Sequence, residues 1–128
     1  MKINYYLKYW LPVILYACFI FYLSSLSNPI EQIIYGKKIL SYLNLQHFIY
    51  HIIELGILSL LLYRALKPVS KNPQTLSILI AILYAITDEL HQYFVPGRIS
   101  SVFDLAVDAF GAITVQCIIN VYTWLKKI

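Results

Sequence analysis

The chain has 128 residues, 60% hydrophobic and 12% charged, whereas a soluble domain carries about 45–50% apolar and roughly 25% charged residues; that composition speaks against a water-soluble fold. A spanning helix takes about 20 residues, so 1–128 holds one domain of four crossings and no second domain. The formal net charge of +4 does not signal nucleic acid, because the lysines border apolar runs instead of forming a patch interleaved with aromatics.

The first helix is expected over about 9–27, after Lys2 and Lys8. Ser25-Leu26-Ser27 loosely resembles a signal-peptide cleavage site, but the apolar run is longer than a signal h-region of about 7–15 residues, so it reads as a retained span. The linker 28–45 carries Pro29, Gly36, Lys37 and Lys38, with Ile33, Ile34, Ile39, Leu40 and Leu43 spaced as in a short interfacial helix. A second helix follows over 46–66.

Pro68 and Pro73 with Lys67 and Lys71 make 67–74 a solvated turn before a third helix over 75–95. Pro96-Gly97-Arg98-Ile99-Ser100 is so short that the fourth helix, 101–125, must run antiparallel beside the third. The expected fold is all-α, a small antiparallel bundle of four transmembrane helices. Lys2, Lys8, Arg64, Lys67, Lys71, Lys126 and Lys127 fall on one side, against Lys37, Lys38 and Arg98 on the other. This asymmetry places both termini in the cytoplasm. Tyrosines and tryptophans cluster near span ends as interfacial anchors do, and Cys18 and Cys117 sit in apolar runs as small apolar thiols. No internal repeat of the transporter kind is visible.

With that topology the polar residues of the second to fourth helices gather in their outer halves. His47, His51 and Glu54 share a stripe of the second helix. Asp88, His91 and Gln92 share a face of the third, with Glu89 turned about 100° from Asp88. Asp104 and Asp108 stand one turn apart on the fourth, and Arg98 precedes them. Five of the six acids, all but Glu31, lie in these spans. A charge near mid-membrane costs about 2.5–3.5 kcal/mol on insertion scales and persists only when paired, hydrated or used.

Ser101 followed by Asp104 is a capping-box pattern, which gives Asp104 a structural role at the helix start. His47 lies near the boundary and reads as interfacial. Catalysis and a neutral polar network are both open for His51, Glu54, Asp88, Glu89 and His91, while Gln92, Arg98, Asp104 and Asp108 are candidate ligand contacts. No cofactor is called for. His51, Glu54, Asp88 and His91 offer a divalent metal two imidazoles and two carboxylates, but no specific zinc pattern such as HExxH or paired CxxC occurs, so no metal ligands are assigned.

The stretch Asp88-Glu89-Leu90-His91-Gln92-Tyr93-Phe94-Val95-Pro96-Gly97-Arg98, then Ser101-Val102-Phe103-Asp104 and Gly111, closely resembles the signature of VanZ-like membrane proteins, named for a teicoplanin-resistance protein. Phe21-Tyr22-Leu23-Ser24-Ser25 and His51-Ile52-Ile53-Glu54-Leu55-Gly56 extend the resemblance over almost the whole chain. Leu55 stands where the family often has tyrosine, Asp108 where asparagine is common and Val115 where glycine is common. The resemblance implies a multi-pass protein of the bacterial plasma membrane, linked in its named member to reduced glycopeptide susceptibility.

Three functions follow as expectations. The first is a pocket facing outward from the cytoplasm that binds a cell-envelope ligand, a lipid headgroup or lipid-linked wall precursor, and affects teicoplanin susceptibility. The second is an intramembrane hydrolase or transferase acting on a lipid-linked phosphate, for which the sequence names no nucleophile. The third is a proton-coupled transporter, weakened because the cytoplasmic halves of the second to fourth helices hold no carboxylate or imidazole. The expected partners are membrane lipids, with a homo-oligomer as the means to enclose a pathway that one protomer lacks.

Overall fold

A computed structural model describes residues 2–26, 45–98 and 100–128, the side chains of Lys2 and Gln46 excepted. The described residues are helical: α1 (Lys2–Tyr5), a π-helical segment (Tyr6–Trp10), α2 (Leu11–Ser25), α3 (Leu45–Leu66), α4 (Pro73–Tyr93) and α5 (Val102–Leu125). The expected interfacial segment falls outside the described residues except for Leu45, which opens α3.

The first helix begins about two turns before the expected start. Its π-helical segment has a local cause: Pro12 has no N–H to give and its ring crowds the preceding turn, so the backbone widens and Leu11 N–H reaches Tyr6 O. Pro68 follows the end of α3, and Pro73 starts α4, where its missing N–H is no loss. The turn between α4 and α5 depends on Gly97, whose φ of 89° favours a residue without Cβ.

α3 and α4 form the centre. α3 packs against α2, α4, α5 and the π-helical segment, most extensively against α5, while α2 and α5 lie on opposite sides of the α3–α4 pair. Small residues permit the close approach. A Cβ on Gly111 would lie 2.4 Å from the Ile52 carbonyl oxygen, and one on Gly56 would lie 3.0 Å from Val115 Cγ2, so α3 and α5 nearly touch backbone to backbone. On α4, Ser77, Ala81 and Ala85 are buried, whereas Leu76, Leu79, Leu83, Ile86 and Leu90 are exposed. The helix thus turns its small residues inward and its large apolar ones outward.

Three helices, Ile3–Ser25, His47–Leu66 and Val102–Leu125, are long and apolar enough to cross a membrane. α4 has comparable length, but its last turns carry Asp88, Glu89, His91 and Gln92. Tyrosines also do more than mark span ends: Tyr84 Oη donates to Ala17 O at 2.6 Å and Tyr16 Oη to Glu54 O at 3.3 Å. These bonds tie α2 to α4 and α3 respectively.

Candidate functional site

The polar side chains converge at the end of the bundle where α2 finishes, α3 begins, and the turn joins α4 to α5. On the α5 side, His51 Nδ1 lies 2.9 Å from Asp108 Oδ1, and His47 Nε2 lies 3.2 Å from Asp104 Oδ1. The two imidazoles meet edge to face, with centroids 4.5 Å apart. Asp104 and Asp108 are both buried, one turn apart on α5 and facing the α3 stripe that carries His47 and His51 one turn apart. His47 therefore belongs to the cluster and is not a detached interfacial residue. The sequence signal was its spacing of four from His51, matched by the spacing of four between the two aspartates.

The capping-box expectation is corrected by the same contacts. Ser101 does cap α5, its Oγ accepting from Phe103 N–H at 3.1 Å. The reciprocal carboxylate, however, is Glu89: its Oε2 accepts from Ser101 N–H at 2.9 Å and from Ser100 Oγ at 3.0 Å. The distant α4 acid fills the place that the local pattern gave to Asp104, and Asp104 is thereby released to His47.

On the α2 side, Ser24 Oγ donates to Asp88 Oδ1 at 2.6 Å, and Gln92 Nε2 donates to Asp88 Oδ2 at 2.9 Å. Ser25 Oγ lies 2.9 Å from His91 Nε2, and the His91 ring stacks on Phe21 with centroids 4.3 Å apart. Arg98, a candidate ligand contact in the turn before α5, is held close to the α2 end. It donates through Nη2 to Leu23 O at 2.7 Å, one of the last carbonyls of α2, where a cation complements the helix dipole. Ser24 and Ser25 were missed as site residues because a helical serine usually bonds its own backbone. Ser25 does so here through Phe21 O, while Ser24 shares its single proton between Phe21 O and the nearer Asp88 Oδ1.

Between the two networks lies a cavity of about 420 Å³ lined by Tyr16, Leu23, Ser24, His47, Tyr50, His51, Ile53, Glu54, Asp88, Gln92 and Arg98. His51, Glu54, Asp88, Gln92 and Arg98, all named from the sequence, line this cavity. Asp104 and Asp108 hold two of its lining residues, His47 and His51, while Glu89 and His91 are not among the residues that line it. The metal quartet considered from the sequence is not assembled, because His91 is engaged by Ser25 while His51 turns to Asp108. Among the described residues, the groups with metal-like geometry are His47, His51 and Asp104, and His51, Glu89 and Asp108.

Deeper in the bundle, Gln116 Nε2 donates to Ser59 Oγ at 2.8 Å and to Ser59 O at 3.1 Å, and Ser59 Oγ donates to Ala112 O at 3.2 Å. A lone glutamine in an apolar run is the signal that would have found this contact.

No curated protein and no solved structure matches the chain. The VanZ/LLP1 family model matches residues 6–123, a stretch that takes in both polar networks and the cavity between them, and the chain belongs to that family.

Proposed function

We propose that the protein is a four-span protein of the bacterial plasma membrane whose outward-facing cavity binds the phosphate-bearing headgroup of an envelope lipid or lipid-linked wall precursor. The observation that carries this reading is the cavity itself: about 420 Å³, with Arg98 and a set of carboxylates and imidazoles on its walls. An arginine at its rim suits a phosphate, which the planar guanidinium meets through paired hydrogen bonds. The apolar outward stripe of α4 supports its crossing as the fourth span. The Lys/Arg asymmetry supports cytoplasmic termini and an opening on the opposite face.

The test is binding of polyprenyl phosphate and of phosphatidylglycerol to the purified chain in detergent. Arg98→Ala should weaken binding of at least one of them by 10-fold or more, on the order of 1.4 kcal/mol or above, without loss of helicity. Equal affinity of wild type and variant for both lipids would sink the reading. If a family-like effect on teicoplanin susceptibility accompanies binding, the same substitution should remove it.

A second reading, hydrolysis of a lipid-linked phosphate, is favoured by one contact, Ser25 Oγ to His91 Nε2 at 2.9 Å. Rotation of that hydroxyl from Phe21 O toward the imidazole would give the hydroxyl–base pair that the sequence alone did not supply. Turnover of a polyprenyl diphosphate, lost in both Ser25→Ala and His91→Ala, would support it; no turnover across a broad lipid panel would remove it.

A further inference from the structure

Two imidazoles and a carboxylate converge where the first turns of α3 meet the first turns of α5. One ring nitrogen from each of His47 and His51 and one oxygen of Asp104 all lie within 4.8 Å of one another. His47 Nε2 and Asp104 Oδ1 are 3.2 Å apart, close to the separation of about 3.3 Å that tetrahedral coordination imposes when metal–ligand bonds are about 2.0–2.1 Å long.

His51 is already oriented for such a role. Its Nδ1 is held by the buried Asp108 carboxylate at 2.9 Å, so Nε2 is the nitrogen that a cation would take. A carboxylate behind a histidine is the recurring support of metal-binding imidazoles, because it fixes the tautomer and ring orientation and raises ligand basicity. The opposed aspartates also make sense around a cation. Two imidazolium rings with centroids 4.5 Å apart would repel, whereas neutral rings can both direct a lone pair at one ion whose charge the carboxylates balance.

We propose that His47, His51 and Asp104 bind a borderline divalent transition-metal ion of the Zn²⁺ class, with Asp108 as the outer partner of His51. Both histidines also line the cavity, so the remaining coordination position opens where an anionic ligand would enter. Two imidazoles select against Mg²⁺ and Ca²⁺, which prefer all-oxygen sites. The alternative grouping of His51, Glu89 and Asp108 is weaker: it has one imidazole, and its acids are committed to Ser100, Ser101 and His51. The cation site goes beyond the headgroup reading, and metal binding alone decides it.

The experiment uses the full chain in detergent, stripped with chelator, loaded with Zn²⁺ or Co²⁺, desalted and analysed for metal. Wild type should retain one ion per chain and give visible Co²⁺ d–d absorption, and Mg²⁺ or Ca²⁺ should not be retained. His47→Ala and Asp104→Ala should each abolish retention, and Asp108→Asn should weaken affinity about 10–100-fold. The double variant Cys18→Ala/Cys117→Ala should bind as wild type does, which excludes the two exposed thiols. The proposal is overturned if loaded wild type retains neither ion, if His47→Ala and Asp104→Ala retain as much as wild type, or if the cysteine variant loses the ion. Should the site variants fail to fold, X-ray absorption of zinc-loaded wild type decides, with two imidazoles supporting the site and one or none overturning it.

Discussion

Glu89 shows how a single side chain can look catalytic in a sequence and act structurally in the fold. Its carboxylate accepts from a buried backbone N–H and a hydroxyl on the first residues before α5, so it stitches the α4–α5 turn closed. Glu89→Ala leaves the Ser101 N–H without that acceptor and should lower unfolding stability by about 1–3 kcal/mol, measured by SDS titration of the purified protein. Glu89→Gln keeps an acceptor oxygen and should lose less than half as much; an equal loss in both variants would contradict the capping role. Gln116 poses the opposite case. Its Oε1 is buried without a hydrogen-bond partner among the described residues, and Ser59 Oγ already has Ala112 O. Gln116→Leu should therefore leave the SDS midpoint unchanged or raise it. A drop beyond about 1 kcal/mol would mean that the amide bonds outweigh the buried oxygen.

Helix existence was legible from hydropathy length, and the antiparallel pairing of α4 with α5 from the brevity of the Pro-Gly turn. Helix starts were not: the entry into the first helix depends on how the backbone accommodates Pro12, and no periodicity records that. Membership of the polar cluster was largely legible because lipid makes every buried ionisable group conspicuous. Partner choice was not, since His47–Asp104 depends on how closely α3 and α5 approach and Glu89–Ser101 on how the turn folds the start of α5 back onto α4. Gly111 sets that approach. Gly111→Ala puts a methyl 2.4 Å from the Ile52 carbonyl oxygen, which backbone must absorb, and should cost about 1–3 kcal/mol or more. Because Ile52 adjoins His51 and Gly111 lies one turn beyond Asp108, the same change should disturb the His51–Asp108 pair, seen as a shifted His51 imidazole resonance. Gly56→Ala meets only Val115 Cγ2 at 3.0 Å and should be milder on both counts. The α2 end is held differently, by Ser24 and Gln92 converging on Asp88. Asp88→Ala should loosen α2 from α4 and speed proteolysis near 26, while leaving the α3–α5 packing intact.

Among the described residues the arrangement is that of a protein folded in lipid: large apolar side chains cover the outside, Ile20, Leu58 and Leu62 fill the core beside small residues of α4 and α5, and the ionisable cluster sits at one end of the bundle. Its placement on the outer face, the premise of the headgroup reading, is drawn from the Lys/Arg asymmetry, and cysteine labelling tests it directly. In a Cys18→Ala/Cys117→Ala background, Pro96→Cys places a thiol in the exposed α4–α5 turn and Lys71→Cys one in the exposed α3–α4 turn. A membrane-impermeant maleimide applied to protoplasts should label the cysteine at 96 while they are intact and the cysteine at 71 only after lysis. The reverse pattern, or labelling of both before lysis, would contradict an outward-facing pocket.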